Sequence, residues 1–455
     1  MRNANPPRLL IAAPQSGSGK TMLTCGLLKV FQERGLDCAC CKCGPDYIDP
    51  LFHRDVLGVA GYNLDSFFLD GDHLRSLLLR TAQKADLTLI EGVMGYYDGL
   101  GGFSTQASAY EIACLTDTPV VLIVDGKRSS LSIAALLQGF RDFRVDSHVR
   151  GVILNRTSAG MADRLRPQIE KLGLRLYGYV PECEEARLES RHLGLVLPGE
   201  QQDWRKRLAA LAEKLNGSLD VDGLFALACS AGEIKTLISE NLENLVPAAA
   251  SSKGNVSRRI GVAWDEAFCF YYRDNLDFLR EQGWEPVPFS PLRDRELPAG
   301  LAALLFGGGY PERFAKELSQ NEAMRSSIRV AAKDGLRILA ECGGFLYLHR
   351  SLEGMDGSVY PMVGMLPGEA RRARKRQPFG YLSLFGHKKT KEHIRGHEFH
   401  YWESSDPGSA MTAVKPVGGA SWQTMYRDGN LLAGFPHLYY RSGPEWILSF
   451  LEENG

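Results

Sequence analysis

The sequence predicts an α/β protein with two domains, the first of which is built on a sheet of parallel strands. Short apolar segments alternate with amphipathic helical patterns in both halves of the chain, as in sheets covered by helices on both faces. The 455 residues are also too many for one ordinary hydrophobic core. A stretch rich in Ala, Ser and Pro separates the halves, so we predict domains at 1–245 and 258–455 joined by a linker at 246–257.

Charge and cysteine content restrict the classes of partner. The formal net charge of -1, with acidic and basic residues interspersed, gives no electrostatic footprint for nucleic acid or an anionic membrane. The apolar run after the short polar N-terminus is far shorter than a signal sequence or a membrane span. Ten cysteines without regular spacing are typical of reduced thiols. We therefore expect a cytoplasmic enzyme that acts on small molecules.

The first half repeats a unit of strand, turn and helix. Strands are expected at Leu9–Ala13, Cys38–Cys43, Leu87–Ile90, Val120–Val124, Val149–Leu154 and Leu176–Val180. The cysteines of the second strand alternate between its faces, which favours buried apolar side chains over ligands of one metal ion. Ligands of parallel sheets bind beyond the carboxyl ends of the strands, so the residues after each strand are the candidates for the site.

The first strand leads into a glycine-rich turn, which is followed by a helix predicted at Met22–Arg34. Glycines let backbone N–H groups face phosphates, a lysine reaches the β and γ oxygens, and a hydroxyl suits Mg²⁺. Pro14 stands where the full phosphate-loop pattern has glycine, but the strand, turn and helix context still predicts an ATP site. The residues predicted to bind the nucleotide are Gly17, Gly19, Lys20 and Thr21.

Acidic side chains follow the second and third strands. Glu91 ends an apolar strand, the position from which a carboxylate reaches a nucleotide-bound Mg²⁺, and Thr21 is its expected partner as metal ligand. Burying Glu91 or Asp98 would be costly without a cation or hydrogen bonds, so both are functional candidates, as is Asp46. Asp49 stands beside Pro50, which favours a solvated turn residue or a helix cap.

Asn155 follows the fifth strand in the segment Asn155-Arg156-Thr157. An asparagine amide suits the adenine ring because it offers both a donor and an acceptor. The same composition is typical of an ordinary loop, so both interpretations stay open.

The second domain carries a strand, a sharp turn and a helix with Cys342 at the turn, followed by two glycines. This arrangement is typical of a nucleophile elbow, in which the helix N-terminus favours the thiolate and backbone N–H groups stabilise an oxyanion. The glycine turn at 307–309 is a second source of such N–H groups. The base that a thiol nucleophile needs is sought among His437, His397 and His400.

Taken together, these motifs resemble the cobyrinate a,c-diamide synthases, glutamine-dependent enzymes of corrin biosynthesis. The landmarks cover nearly the whole chain in the order of that family. They are Ser16–Thr21, Gly44–Pro50, Glu91–Gly95 with Asp98 and Gly99, Gly308–Glu312, Glu341–Gly344 and Gly396–His400.

The resemblance implies an N-terminal P-loop domain similar to dethiobiotin synthetase and a C-terminal class I glutamine amidotransferase-like α/β domain. It implies that Cys342 is the glutaminase nucleophile and His437 its base, and that Asp46, Glu91 and Asp98 act around ATP, Mg²⁺ and the reacting carboxylate. The implied reaction is the amidation of the a and c carboxylates of cobyrinic acid in cobalamin biosynthesis. L-glutamine supplies the ammonia, and ATP activates each carboxylate as an acyl phosphate.

One segment departs from the family, whose C-terminal region usually resembles Tyr-Leu-His-Leu-His-Phe. Here the matching residues are 435–440, with Tyr439 in place of the second histidine, while His437 aligns with the first.

Other substrates and another class of protein fit part of the pattern. Hydrogenobyrinic acid and a nickel sirohydrochlorin are alternative macrocycles for the same chemistry, whereas cobyric acid synthases resemble residues 44–50 less well. A P-loop regulatory ATPase is disfavoured by Gln15, where nucleotide-dimerised relatives have a second lysine, and by the elbow at Cys342.

Overall fold

A computed structural model describes residues 5–186, 190–191, 194–195, 203–236, 258–375, 377–386 and 393–452. The chain forms two compact units, Met1–Leu242 and Glu243–Gly455. The linker predicted at 246–257 lies outside the described residues, so that boundary stays a prediction. No described helix is both long enough and apolar enough to cross a membrane.

The described strands of the first unit are β1 (Arg8–Ala12), β2 (Cys38–Cys43), β3 (Asn63–Leu64), β4 (Leu87–Glu91), β5 (Val120–Asp125), β6 (Val149–Asn155), β7 (Arg175–Val180), β8 (Ser190–Arg191) and β9 (Gly194–Leu195). Its described helices are α1 (Lys20–Glu33), α2 (Ile48–Leu57), α3 (Gly71–Ala82), α4 (Ala109–Leu115), α5 (Ser132–Asp142), α6 (Ala159–Lys171), α7 (Trp204–Ser218) and α8 (Val221–Cys229).

Seven strands of this unit form one parallel sheet in the order β3-β2-β4-β1-β5-β6-β7. The central strand β1 is buried along its whole length, as expected of a strand covered on both faces. The six strands predicted from the sequence are confirmed to within one residue at each end. The edge strand β3 was missed because two residues are too few to form a pattern. Three cysteines of β2, Cys40, Cys41 and Cys43, are buried as predicted.

The described strands of the second unit are β10 (Arg258–Ala263), β11 (Trp284–Phe289), β12 (Leu301–Phe306), β13 (Arg337–Glu341), β14 (His349–Glu353), β15 (Val359–Pro361), β16 (Leu366–Arg372), β17 (Gly380–Gly386), β18 (His393–Glu398), β19 (Trp402–Ser404), β20 (Met411–Val414), β21 (Ser421–Thr424), β22 (Tyr426–Asp428), β23 (Leu431–Gly434) and β24 (His437–Leu438). Its described helices are α9 (Arg273–Glu281), α10 (Ala315–Gln320), α11 (Glu322–Lys333), α12 (Gly343–Leu348) and α13 (Pro444–Glu452).

The main sheet of the second unit has the order β11-β10-β12-β13-β23-β22, and all but its last pair are parallel. The alternation of strands and helices expected to resume at Ile260 is observed as far as α12. Residues from β14 to β21 instead form two further sheets in which antiparallel pairs predominate. Strands such as β16 are buried at every second residue, a short period that is easily overlooked in a segment of mixed composition.

Candidate functional site

The glycine-rich turn of the first unit lies between the end of β1 and the start of α1. Gly17 and Gly19 have φ angles of 77° and 94°, which glycine adopts without the strain of a side chain. Lys20 Nζ donates to the carbonyl oxygens of Gln15 at 3.3 Å and Met94 at 2.6 Å. Burial and the nearby charge of Lys42 lower the pKa of Lys20 to about 8. The lysine is therefore bound both to the turn and to the loop after β4.

Four polar side chains from α1, β2, α2 and β4 converge beside this turn. They are Thr21, Lys42, Asp49 and Glu91. Thr21 Oγ1 donates to Glu91 Oε1 at 2.6 Å. Lys42 Nζ donates to the same Glu91 oxygen at 2.8 Å and to Asp49 Oδ2 at 2.5 Å. Two carboxylate oxygens thus flank one buried cation, and the Thr21 hydroxyl bonds to both carboxylates.

Lys42 and Glu91 stabilise each other's charges, whereas burial and the carboxylates of Asp46 and Glu91 raise the pKa of Asp49. Burial raises the pKa of Glu91, but Lys42 and His53 outweigh that effect, so the pKa lies below its usual value. His53 Nε2 lies 3.1 Å from Glu91 Oε2. Burial disfavours the Lys42 cation, yet Asp49 and Glu91 raise its pKa above the ordinary value. Lys42 and Glu91 therefore form an ionised pair inside the unit.

Sequence reasoning was wrong about Asp49, and it gave no role to Lys42 or to His53, which contacts Glu91. Asp49 is 5% exposed and paired with Lys42, so it is not a solvated turn residue. A lysine inside the otherwise apolar strand β2 was the available signal for Lys42, since a buried cation needs acidic partners. Nothing in the sequence pattern distinguished His53, because its place on α2 becomes informative only when the helix is packed against β4.

The structure places the other predicted acids at the same edge of the sheet but gives them different contacts. Asp46 Oδ1 accepts from the backbone N–H groups of Ile48 at 2.8 Å and Asp49 at 3.2 Å, where α2 begins. Asp98 is exposed, and its Oδ2 accepts from the Gly95 N–H at 2.9 Å. The charge of Asp98 also raises the pKa of Lys20, so the two side chains lie near each other.

Asn155 lies against the glycine-rich turn. Its Nδ2 donates to the Ser18 carbonyl at 2.8 Å, and its Oδ1 accepts from the Arg156 N–H at 2.9 Å. A Cβ at Gly19 would lie 2.5 Å from Asn155 Nδ2, so the turn and the amide fit closely. In this arrangement the amide supports the turn, and contact with adenine stays a prediction.

In the second unit, Cys342 lies at a strained turn between β13 and α12. Its φ and ψ of 47° and -102° lie outside the regions that non-glycine residues normally adopt. The Cys342 N–H donates to the Gly434 carbonyl at 2.8 Å, which ties the turn to the end of β23. Its Sγ lies 4.0 Å from the Phe399 carbonyl oxygen. The backbone therefore has the shape of a nucleophile elbow.

The glycine turn after β12 and His437 both lie close to this elbow. A Cβ at Gly343 would lie 2.9 Å from the Gly309 backbone nitrogen. A Cβ at Gly308 would collide with His437 and lie 3.0 Å from its Nε2. Cys342, the two glycine turns and His437 are thus brought together by the ends of β12, β13 and β23.

Burial favours the neutral forms of both candidate catalytic groups. It raises the pKa of the Cys342 thiol, and the carboxylates of Glu312 and Glu398 raise it further. The Gly343 N–H at the start of α12 lowers the pKa of this thiol, as expected of a helix N-terminus, but burial outweighs that effect. Burial, with His397 and His400, lowers the pKa of His437 to about 3. The resting forms are accordingly a neutral thiol and a neutral imidazole, and the imidazole can accept a proton.

The other candidate bases differ in their surroundings. His400 Nε2 lies 2.8 Å from Glu398 Oε1, and its Nδ1 lies 2.5 Å from the Trp402 carbonyl, so both ring nitrogens face acceptors. His397 is paired in register with His437 across β18 and β24. His437 is the histidine that faces the glycine turn after β12.

Comparisons with known proteins match each unit to a family model. Residues 9–196 match the CobQ/CobB/MinD/ParA nucleotide binding domain. Residues 259–444 match the CobB/CobQ-like glutamine amidotransferase domain.

Curated relatives extend over nearly the whole chain. A cobyrinate a,c-diamide synthase of Listeria innocua is 39% identical over 97% of this chain and 98% of its own length. The enzyme of the same name from Listeria monocytogenes is 38% identical, over 95% of this chain and 96% of its own. That of Salmonella typhimurium is 37% identical, with 97% of both chains covered.

Proposed function

This chain belongs to the cobyrinate a,c-diamide synthase family, and on that premise we propose that it amidates the a and c carboxylates of cobyrinic acid with ATP and glutamine. One observation carries the proposal: each unit has its own complete set of reactive groups. The first has a phosphate turn beside a buried hydroxyl and carboxylate cluster. The second has a thiol elbow beside a neutral histidine.

In the first unit, a carboxylate oxygen of the macrocycle attacks the γ-phosphorus of ATP, and the bond to the β,γ-bridging oxygen breaks to give an acyl phosphate and ADP. The glycine-rich turn binds the phosphates through backbone N–H groups, and Lys20 neutralises the charge that develops on them. Asp98, near Lys20, orients the incoming carboxylate or ammonia. Asp46 holds the start of α2, and Asn155 holds the turn, in the geometry that this step needs.

The cluster also suits Mg²⁺. Among the described residues no group of three His, Cys, Asp or Glu side chains could hold a metal alone. Mg²⁺ in nucleotide sites takes one or two carboxylates and completes its coordination with phosphate oxygens and water. Thr21 and Glu91, already 2.6 Å apart, would hold it, with Asp49 adjoining. When bound, it supplies charge neutralisation at the β and γ oxygens.

In the second unit, Cys342 Sγ attacks the side-chain amide carbon of glutamine while the thiol proton moves to His437. His437 then donates that proton to the leaving nitrogen, ammonia departs, and a thioester remains. Water hydrolyses the thioester to glutamate and restores the thiol. The N–H groups of the glycine turns stabilise the oxyanion of each tetrahedral intermediate. Ammonia attacks the acyl phosphate, and the amide and inorganic phosphate are released.

Mass spectrometry of the product tests the substrate. The protein is incubated with Mg²⁺, ATP, glutamine and, separately, cobyrinic acid, hydrogenobyrinic acid or nickel sirohydrochlorin. With cobyrinic acid the product mass should correspond to two carboxyl groups converted to amides. Reaction with only another ring would overturn the proposed substrate, and reaction with none would overturn the amidation itself.

A further inference from the structure

A buried carboxyl group adjoins the nucleophile turn in the chain and lies close to the candidate base. Glu341 precedes Cys342 at the end of β13 and is 5% exposed. Its Oε1 accepts a hydrogen bond from the Tyr440 hydroxyl at 3.2 Å. Its Oε2 lies 3.9 Å from His437 Nδ1. One carboxyl group is therefore anchored through one oxygen and faces the imidazole with the other.

The backbone explains why these groups meet. Strands β13 and β23 are parallel neighbours, with Glu341 opposite Gly434. The chain leaves β23 and passes through His437 to Tyr440, so a single short segment supplies both the imidazole and the phenol that contact the carboxyl group. The Leu438 N–H also donates to Glu341. The carboxyl group is thus fixed by the same segment that carries the base.

Ionising a carboxyl group at this buried position is costly, and no cation in the described part of the chain offsets that cost. Burial raises the pKa of Glu341 to about 8. The titratable groups that face it are His437, Tyr440, Tyr271 and Cys342. Within the described parts of the chain, no lysine or arginine forms an ion pair with it. An apolar side chain would pack there at lower cost, which points to a chemical role.

We propose that Glu341 is a positioning residue that holds the His437 ring through Nδ1, so that Nε2 faces the Cys342 thiol. The proposal rests on the proposed function of His437 as base. As Sγ forms its bond to the amide carbon, the carbonyl π pair moves to oxygen and the thiol proton moves to Nε2. The resulting imidazolium carries a proton on Nδ1 directed at Glu341, and in the fraction of molecules in which Glu341 is ionised the carboxylate stabilises that charge.

The test compares Glu341→Gln with two neighbouring tyrosine variants. Glutamine keeps an oxygen to accept from Tyr440 but cannot ionise. Tyr440→Phe removes the anchor of the carboxyl group. Tyr439→Phe is the matched control, because Tyr439 is equally buried but its hydroxyl donates to Asp274 at 2.7 Å. Release of glutamate from glutamine is measured for kcat and KM, together with the rate at which iodoacetamide alkylates Cys342.

Glu341→Gln should lower the kcat of glutamine hydrolysis by about 100-fold or more, with KM little changed, and should slow alkylation of Cys342. Tyr440→Phe should lower kcat by roughly three- to tenfold, whereas Tyr439→Phe should leave it near the wild-type value. Amidation with ammonium salts should persist in all three variants, which shows that each is folded. Wild-type kcat in Glu341→Gln, or equal losses in both tyrosine variants, would overturn the positioning role.

Glutamine hydrolysis by Glu341→Gln and by Cys342→Ala together distinguishes an error in the role of Glu341 from an error in the proposed function. If Glu341→Gln is active but Cys342→Ala has lost glutamine hydrolysis, only the role of Glu341 is refuted. If Cys342→Ala still hydrolyses glutamine, the nucleophile itself is wrong and both proposals are overturned.

Discussion

Lys42 Nζ and Glu91 Oε1 form an ion pair of 2.8 Å between β2 and β4, with the two side chains 4% and 0% exposed. Desolvation of two charges is offset only when further polar contacts complete the pair. Thr21, Asp49 and His53 provide those contacts. The polar cluster beside the glycine-rich turn is therefore organised around a cation that belongs to the protein itself.

Lys42→Met should destabilise the chain strongly. It leaves Asp49 and Glu91 close together without their cation, and breaking a buried pair in this way costs about 3–5 kcal/mol. Urea unfolding of the full chain, followed by tryptophan fluorescence, measures the change.

Lys127→Met is the control for that experiment, since its pair with Glu182 is 2.7 Å long but both side chains are 44% exposed. Exposed pairs contribute less than about 1 kcal/mol. Equal losses of unfolding free energy in the two variants would show that the buried pair contributes no more to stability than the exposed one.

Gly19→Ala should weaken binding of ATP. A Cβ there would meet Asn155 Nδ2 at 2.5 Å, so the turn or the amide must shift. Gly35→Ala is the control. Gly35 also has a positive φ, 84° compared with 94° for Gly19, but a Cβ there would have nothing within 4 Å.

Both alanine variants should lose about 1 kcal/mol of stability from backbone strain, and only Gly19→Ala should lose affinity for a nucleotide measured by calorimetry. Unchanged affinity in Gly19→Ala would contradict the close fit between Asn155 and the turn.

Asp98→Ala should abolish the ATP hydrolysis that depends on the macrocycle, with a loss of about 100-fold or more, because the carboxylate or ammonia is no longer oriented. Glutamine hydrolysis should continue, since Cys342 and His437 belong to the other unit. Phosphate release and glutamate release are measured on the same samples. An unchanged rate of phosphate release would refute the role given to Asp98.

The raised pKa of Glu341 predicts how stability depends on pH. Its folded pKa is about 8 against an ordinary value of 4.5, so between these values the folded chain binds a proton that the unfolded chain has released. The contribution of Glu341 to the free energy of unfolding therefore falls by up to about 1.4 kcal/mol for each unit that pH rises in this range.

Glu341→Gln lacks that contribution, so its stability relative to wild type should rise from pH 5 to pH 8.5 in urea unfolding experiments. If the free energy of unfolding depends on pH in the same way in the two proteins, the raised pKa assigned to Glu341 is contradicted.

The sequence was sufficient to predict the parallel sheet of the first unit, because continuous apolar strands and a glycine turn are local signals. It was also sufficient to predict the sharp turn at Cys342, because the cysteine and its glycines form one contiguous motif. The partners of Glu91 were harder to predict: Lys42 and His53 lie on separate elements, and only packing brings them to one carboxylate. The proximity of Glu341 to His437 could not be predicted, because it depends on the register of β13 and β23.

The most direct test of the two-site account uses Cys342→Ala with cobyrinic acid, Mg²⁺ and ATP, and follows product mass with glutamine or with a high concentration of an ammonium salt. The account predicts no amidation with glutamine and continued amidation with ammonium, because the variant removes only the source of ammonia. Loss of amidation under both conditions, or continued amidation with glutamine, would contradict it.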